Sequence, residues 1–187
     1  MRVLMCLACI ISSATPPLLT LASDLLSFSQ LDLSRNSIGP ESFTAICEAV
    51  QSNRQTKLAS LNIAFNDIGP VGAKGVAAMV AITGSVTSID VSSNSIDQAT
   101  SLELIAAMKG KRMVSIGMTS CRLGVEGAKA MAELVLATPS MTSLNVSWND
   151  MGPEGVNLLT NAVLSHSIPL RRGSKLEEEQ EEEVEED

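Results

Sequence analysis

The sequence predicts an α/β repeat solenoid, a horseshoe-shaped arc of about five repeats with a parallel sheet on its concave side and helices on its convex side. Five similar segments recur, and their marker residues follow one another at spacings of 30, 28, 27 and 28 residues. Within each segment apolar and polar residues alternate over a short run, which indicates a strand with one buried face. Residues with the apolar spacing of a helix follow, so the repeating unit is one strand and one helix.

The composition suits a domain with an aliphatic core. The chain has 187 residues, of which 45% are hydrophobic and only 2% are aromatic. That hydrophobic fraction excludes a wholly disordered chain. The scarcity of aromatic residues argues against an RNA-binding surface built by base stacking, and no basic stripe typical of nucleic-acid binding is visible. We therefore expect a core of Leu, Ile, Val, Met and Ala, and no nucleic-acid partner.

Residues 1–27 precede the repeats and begin with an apolar run. Val3–Ile11 contains nine apolar residues in a row, and Ser12, Ser13 and Ala14 follow. We interpret the run as an apolar cap over the open end of the repeats, with a signal peptide in residues 1–14 as the alternative. The run is too short to cross a bilayer as a helix, so we expect no transmembrane span.

The repeats occupy residues 28–168, and each has a marker residue just after its predicted strand. The marker residues are Asn36, Asn66, Asn94, Cys121 and Asn149. Where the chain leaves the strand, its backbone N–H and C=O groups lose their sheet partners, and a buried Asn amide supplies both donors and an acceptor. We expect these five residues to form an internal structural ladder, with Cys121 as its weakest member.

The helices are predicted from their start signals and their apolar spacing. Pro40, Pro70 and Pro153 stand where the first turn of a helix tolerates proline. Cys47 falls at a small helix position that Ala holds in two other repeats, which indicates a packed, reduced thiol. Repeat three has Asp97 where the other repeats have Gly, and we expect this carboxylate to cap the following helix.

The repeated pattern, L-x-x-L-x-L-x-x-N/C-x-L, resembles that of the leucine-rich repeat family. A period near 28 residues and the Gly-Pro continuation after several strands resemble the ribonuclease-inhibitor-like subfamily. The resemblance covers residues 28–166. It implies the solenoid that the residues themselves predict, and a scaffold that binds other proteins, although this fold serves many different partners.

The outward positions of the predicted strands form a concave face of mostly small and polar residues. We expect a protein partner of unknown identity to contact this face at Asp32, Arg35, Asn62, Phe65, Asp90, Asn145 and Trp148. Phe65 and Trp148 are the large exceptions and share one column of the repeats. Exposed aromatic residues can anchor an interface. For Trp148, in the last repeat, covering the open end is the alternative role.

The sequence contains no recognisable cluster of catalytic or metal-ligating residues. His166 is the single histidine, and no Ser–His–Asp or Cys–His arrangement is visible. Asp32 and Asp90 share a column but lie two strands apart, about 10 Å, on an open and solvated face. Paired acid–base catalysis needs closer and drier carboxylates. We therefore expect a non-catalytic binding scaffold without cofactor or metal.

Residues 169–187 are predicted to be a disordered acidic tail. Residues 177–187 carry nine of the 21 acidic residues and no base, and such a block repels itself. Repeats followed by an acidic tail also resemble the Ran GTPase-activating protein family, which implies a small GTPase as an alternative partner. Arg35 and Arg122 are the arginines near a suitable position. The main interpretation places the chain in the cytoplasm or nucleus, whereas a signal peptide would make it a secreted recognition protein.

Overall fold

The computed structural model describes residues 3–4, 29–52, 56–166 and 170–171. Within these ranges strands and helices alternate along the chain. The strands are β1 (Val3–Leu4), β2 (Gln30–Asp32), β3 (Ser60–Asn62), β4 (Ser88–Asp90), β5 (Ser115–Gly117), β6 (Ser143–Asn145) and β7 (Leu170–Arg171). The helices are α1 (Pro40–Ser52), α2 (Gly69–Ile82), α3 (Gln98–Met108), α4 (Gly124–Leu136) and α5 (Gly152–Leu164).

The strands of the described residues form one parallel sheet whose order follows the chain. The register sets the apolar centre of each repeat strand opposite the next one, in the series Leu31, Leu61, Ile89, Ile116 and Leu144. Successive helices pack against each other as a second layer. The predicted α/β solenoid, with a parallel sheet and an outer helix layer, is confirmed.

The sheet extends into both segments that flank the repeats. β1 belongs to residues 1–27 and pairs with β2, which places Val3 opposite Leu31. β7 belongs to residues 169–187, and Leu170 lies opposite Leu144. Leu170 and Arg171 of the predicted tail therefore lie in the sheet. The remaining residues of both segments, including Cys6 and Cys9, lie outside the described residues, so the signal peptide and the disordered tail stay predictions.

The core lies between the sheet and the helix layer. One apolar residue directly after each repeat strand points into it, and all five are buried: Leu33, Ile63, Val91, Met118 and Val146. Small helix residues let the helices approach closely. A Cβ added to Gly155 of α5 would lie 2.9 Å from the Cβ of Ala128 in α4. The apolar side of each repeat is thus covered by its neighbours, because a single repeat cannot bury it alone.

The turns from strand to helix contain glycine in four repeats and an aspartate in the fifth. Three of these glycines adopt the left-handed conformation, with φ of 56°, 60° and 61° at Gly69, Gly124 and Gly152. Asp97 has instead an extended backbone with φ of −89°, and its Oδ1 accepts a hydrogen bond of 2.8 Å from the Thr100 N–H. Hydrogen bonding from the Thr100 side chain, together with this bond from its backbone N–H, lowers the pKa of Asp97. The predicted helix cap at Asp97 is confirmed.

Candidate interaction surface

The outward side chains of β2 to β6 line a shallow trough, which we call the concave strip. It has one column of small polar residues and one column of Asp, Asn or Gly. The concave strip consists of Gln30, Asp32, Ser60, Asn62, Ser88, Asp90, Ser115, Gly117, Ser143 and Asn145. Neighbouring strands lie about 4.8 Å apart, so both columns are continuous along the sheet. Four of the seven predicted partner-binding residues lie in this strip, namely Asp32, Asn62, Asp90 and Asn145.

These four Asp and Asn side chains also shape the backbone that follows them. In each, one side-chain oxygen accepts a hydrogen bond from the backbone N–H two residues later, at distances of 3.0, 3.1, 3.0 and 3.3 Å for Asp32, Asn62, Asp90 and Asn145. Such bonds close a turn directly after the strand. Sequence reasoning missed this role, although the recurrence of Asp or Asn two residues before the turn was a visible signal.

Gly117 is the exception in this column, and the neighbouring repeat compensates for it. With no side chain at position 117, the backbone N–H of Thr119 donates instead to Ser92 Oγ of the preceding repeat, at 2.9 Å. A Cβ at position 117 would lie within 2.8 Å of the Asp90 carboxylate atoms. The Asp90 carboxylate therefore leans over Gly117, and it sits near the middle of the concave strip.

The other three predicted contact residues lie in turns and not, as predicted, in the strands. Arg35, Phe65 and Trp148 each follow the last strand residue by three positions and have φ of 59°, 57° and 58°. The strands end at the same position in all five repeats, and in four of them an Asp or Asn side chain closes the turn that follows. Phe65 and Trp148 are 50% and 59% exposed. The Arg35 guanidinium carbon lies 4.4 Å from the centre of the Phe65 ring.

Backbone pairing between repeats continues past the strands into these turns. Phe65 N donates to Ser92 O at 2.9 Å, Ser93 N to Thr119 O at 2.8 Å, and Ser120 N to Ser147 O at 3.0 Å. The corresponding residues of successive repeats therefore keep the strand spacing. We call them the turn row, which consists of Arg35, Phe65, Ser93, Ser120 and Trp148. Three spacings of about 4.8 Å place Phe65 and Trp148 about 14 Å apart.

Beneath the turn row the marker asparagines bond to two repeats at once. The Asn66 amide nitrogen donates to the carbonyls of Leu33 and Ile63, both at 2.9 Å. Its oxygen accepts from the backbone N–H groups of Asn36 at 3.1 Å and Ile38 at 2.9 Å. Asn94 and Asn149 make the same kinds of bond to the backbone of the preceding repeat. These contacts are internal, so the ladder carries no surface chemistry.

Cys121 occupies the fourth marker position, where a thiol provides no oxygen acceptor. Its Sγ lies 3.5 Å from the Thr119 carbonyl and 3.7 Å from the Val91 carbonyl. The Cys121 carbonyl accepts a hydrogen bond of 2.7 Å from Ser101 Oγ. The position of Ser101 is held by Ala in two of the other repeats, at Ala73 and Ala128. Burial raises the pKa of the Cys121 thiol to about 12, and the charge of Asp90 adds to this effect. Cys121 is thus a packed, protonated group.

Within the described ranges, no three His, Cys, Asp or Glu side chains come together in a way that could hold a metal ion. His166 follows α5, and its ring nitrogen Nδ1 lies 3.1 Å from Ser165 Oγ.

No helix in the part of the chain that the structure describes combines the length and hydropathy needed to cross a membrane.

Comparison with known proteins identifies a family model and relatives that are similar to this chain. The leucine-rich repeat family model matches residues 54–77 and 138–159. A ribonuclease inhibitor from Sus scrofa is 21% identical over 161 residues, which cover 85% of this chain and 35% of the inhibitor. The chain therefore spans little more than a third of the length of this relative.

Two solved structures have the same fold. Actin-binding site 2 of leiomodin-1 superposes with a TM-score of 0.62 at 16% identity, covering 91% of this chain and 96% of that one. The C-terminal domain of tropomodulin from Caenorhabditis elegans superposes with a TM-score of 0.66 at 15% identity, covering 80% and 90%. At this level of identity the similarity concerns the fold alone.

Proposed function

Because the chain is a leucine-rich repeat protein of the ribonuclease-inhibitor-like kind, we propose that it is a non-catalytic scaffold that binds another protein on the concave strip and the turn row. The exposed aromatic pair carries this proposal. Phe65 and Trp148 leave at least half of their surface in water, 50% and 59%. Large aromatic rings gain the most from burial in an interface, and few residues dominate binding energy.

The convex side supports the same assignment, because several of its charged side chains pair with one another. The Lys109 Nζ lies 2.9 Å from Glu133 Oε2. The Lys129 Nζ lies 3.1 Å from Glu126 and 3.8 Å from Glu154. These pairs are exposed and each adds little stability. They nevertheless neutralise the outer surface, whereas the concave strip holds Asp32 and Asp90 and no base.

The names of the similar proteins support a protein as the class of partner. One is an inhibitor of ribonuclease, and another is an actin-binding site. Both names describe recognition of another protein, so ribonuclease and actin are the first purified partners to test. The unknown natural partner is sought by affinity purification with the full chain as bait.

The test compares two triple variants of the full chain. Phe65→Ala, Asp90→Asn and Trp148→Ala together alter the proposed surface. Val71→Ala, Glu103→Gln and Leu136→Ala make matched changes at exposed positions of the helices. The measurement is quantitative mass spectrometry of captured proteins, with circular dichroism to verify folding.

We expect the amount of each specific partner captured by the first variant to be at least ten times lower than the amount captured by the helix variant. An unchanged set of partners with the first variant, or equal losses with both, would contradict binding on the concave strip.

A small GTPase remains the alternative partner. Activation of a GTPase by an arginine needs a guanidinium that can reach the transferred phosphate. Arg35 is held against the Phe65 ring at 4.4 Å, whereas Arg122 is exposed and its backbone is left-handed with φ of 52°. The leading proposal therefore expects no stimulation of GTP hydrolysis by Ran at micromolar concentrations of the chain. Stimulation that Arg122→Ala abolishes would favour the alternative.

A cytoplasmic or nuclear location forms part of the proposal. The alternative, secretion, would expose the sequon Asn145-Val146-Ser147 to glycosylation. The Asn145 side-chain oxygen accepts hydrogen bonds from Ser147, at 3.3 Å from its N–H and 2.9 Å from its Oγ. A glycan on Asn145 would stand in the concave strip. Mass spectrometry of the natural protein should find unmodified Asn145 and no cleavage after residue 14.

A further inference from the structure

We propose that the partner presents a basic α-helix, which lies along β4 and β5 in the gap between Phe65 and Trp148. This inference rests on the proposed function, since it names the element that the concave strip would receive. Three properties of the gap support it: its width, the pairing state of the backbone in its floor, and its charge.

The width of the gap suits a helix. Phe65 and Trp148 stand about 14 Å apart in the turn row, at the strand spacing of about 4.8 Å per repeat. Only Ser93 and Ser120 lie between them, and both have short side chains. An α-helix with its side chains is about 10–12 Å across. The backbone spacing of the two aromatic residues therefore exceeds the diameter of a helix by a few ångströms, and a helix lying in the gap would contact both rings.

The floor of the gap favours a helix over an extended segment. The backbone of β4 pairs with β3 and β5, and that of β5 pairs with β6, so the floor presents side chains and no unpaired strand edge. An extended peptide lying on this face would find no backbone partners for its own N–H and C=O groups. A helix satisfies its backbone internally and needs only side-chain contacts.

Asp90 and Arg122 balance each other in the two repeats under the gap, and the excess of carboxylates in the flanking repeats favours a basic partner. The concave strip, the turn row and the next exposed turn position together hold four carboxylates and two guanidiniums, a net charge of −2. The carboxylates are Asp32, Asp67, Asp90 and Asp150, and the guanidiniums are Arg35 and Arg122. Asp90 is in the floor itself, leaning over Gly117. A Lys or Arg on the helix would pair with Asp90, while its neighbours contact the two aromatic rings, which attract both aliphatic and cationic groups.

The test uses peptide display on the full chain. One library contains helix-forming peptides of about 16 residues with one randomised face, and a second contains disulfide-closed loops of equal length. We expect binders to come from the helical library and to be enriched in Lys or Arg on the randomised face. Binders only from the loop library, or helical binders enriched in acidic residues, would overturn the proposal.

Two serine variants test the position of the bound helix. Ser120→Trp fills the gap, and Trp148 shows that this turn position accepts Trp with φ of 58°. Ser37→Trp places the same ring on another left-handed turn residue, with φ of 51°, outside the gap. By fluorescence anisotropy, selected helical peptides should bind Ser120→Trp at least tenfold more weakly than the wild type and should bind Ser37→Trp normally. Equal affinity for all three proteins would contradict insertion between the rings.

Capture of natural partners by the two kinds of variant distinguishes this inference from the proposed function. Partners that are lost with the Phe65/Asp90/Trp148 triple variant but are retained by Ser120→Trp would support concave binding and refute the helix. Partners retained by both variants would refute the proposed function itself. Loss with both variants would support both proposals.

Discussion

Asn94 has no exposed surface, and the hydrogen-bonding atoms of its amide are all engaged. Its nitrogen donates to the carbonyls of Ile63 and Val91, both at 2.9 Å. Its oxygen accepts from the backbone N–H of Asn66 at 3.2 Å. A buried polar group that loses its partner costs about 1–3 kcal/mol. The stability of the ladder therefore depends on groups that belong to two adjacent repeats.

Replacing Asn94 with Ala should lower the free energy of unfolding by about 2–3 kcal/mol, because several buried backbone groups lose their partners together. The matched control is Asn62→Ala in the concave strip. Asn62 is half-buried and accepts one turn hydrogen bond, from Ala64 N at 3.1 Å, so its loss should be about 1 kcal/mol or less. Urea denaturation measures both variants. Equal destabilisation by the two substitutions would contradict the structural role of the ladder.

Burial, with a smaller contribution from Glu48, raises the pKa of the Cys47 thiol from 9.0 to about 12. The folded state thus holds this proton more tightly than the unfolded state. The resulting stabilisation is complete below pH 9 and is lost as the pH rises toward 12. Free energies of unfolding measured between pH 8 and 11 should fall less steeply for Cys47→Ala than for the wild type. Identical slopes would contradict the buried environment of the thiol.

The sequence predicted the ladder because its residues recur at one position of every repeat. It did not predict the compensating contacts of Ser92 and Ser101. Both serines belong to repeat three, whereas the groups that they bond, Thr119 N and Cys121 O, belong to repeat four. Each compensation becomes visible only when the register between neighbouring repeats is known.

At the scale of elements, the departures from the repeat pattern gather between repeats three and four. Asp97 replaces a turn glycine, Gly117 replaces a turn-closing Asp or Asn, and Cys121 replaces a ladder Asn. Thr119 Oγ1 is buried there without a hydrogen-bond partner. Unsatisfied polar groups are costly, so this junction should be the least stable of the inter-repeat junctions within the described residues.

Cys121→Asn should restore an oxygen acceptor at this junction and raise the free energy of unfolding by about 1 kcal/mol. Cys47→Asn is the control, since it puts the same amide among apolar helix residues and should be destabilising. Thermal and urea unfolding measure both. A loss of stability in Cys121→Asn equal to that in Cys47→Asn would contradict the view that repeat four lacks a ladder acceptor.

The strands are shorter than the alternating pattern suggests, and the reason is local. Polar alternation continues from Asp32 through Ser34, which favours a longer strand. In the structure the Asp32 carboxylate accepts from the Ser34 N–H at 3.0 Å and from its hydroxyl at 2.7 Å. Arg35, Phe65 and Trp148 lie in the turns that follow, and β5 ends at the same position, where Ser92 Oγ accepts from the Thr119 N–H instead. Periodicity alone does not contain that information.

For the whole molecule, the architecture was predictable because the sequence of each repeat predicts the same strand, turn and helix. Five imperfect copies together identify an arrangement that one copy leaves ambiguous. The partner was not predictable in the same way. A binding surface on a repeat scaffold is made of the positions that vary between copies, such as Phe65, Ser93, Ser120 and Trp148, so repetition carries no information about it.

The central claim is that the concave side, and not the helix layer, receives a protein partner. The most direct measurement is photo-crosslinking with a diazirine-bearing amino acid placed either at Ser115, in the floor of the concave strip, or at Ala106, on the exposed side of α3. We expect a covalent adduct with the captured partner from position 115 and none from position 106. An adduct from position 106 alone would contradict the central claim.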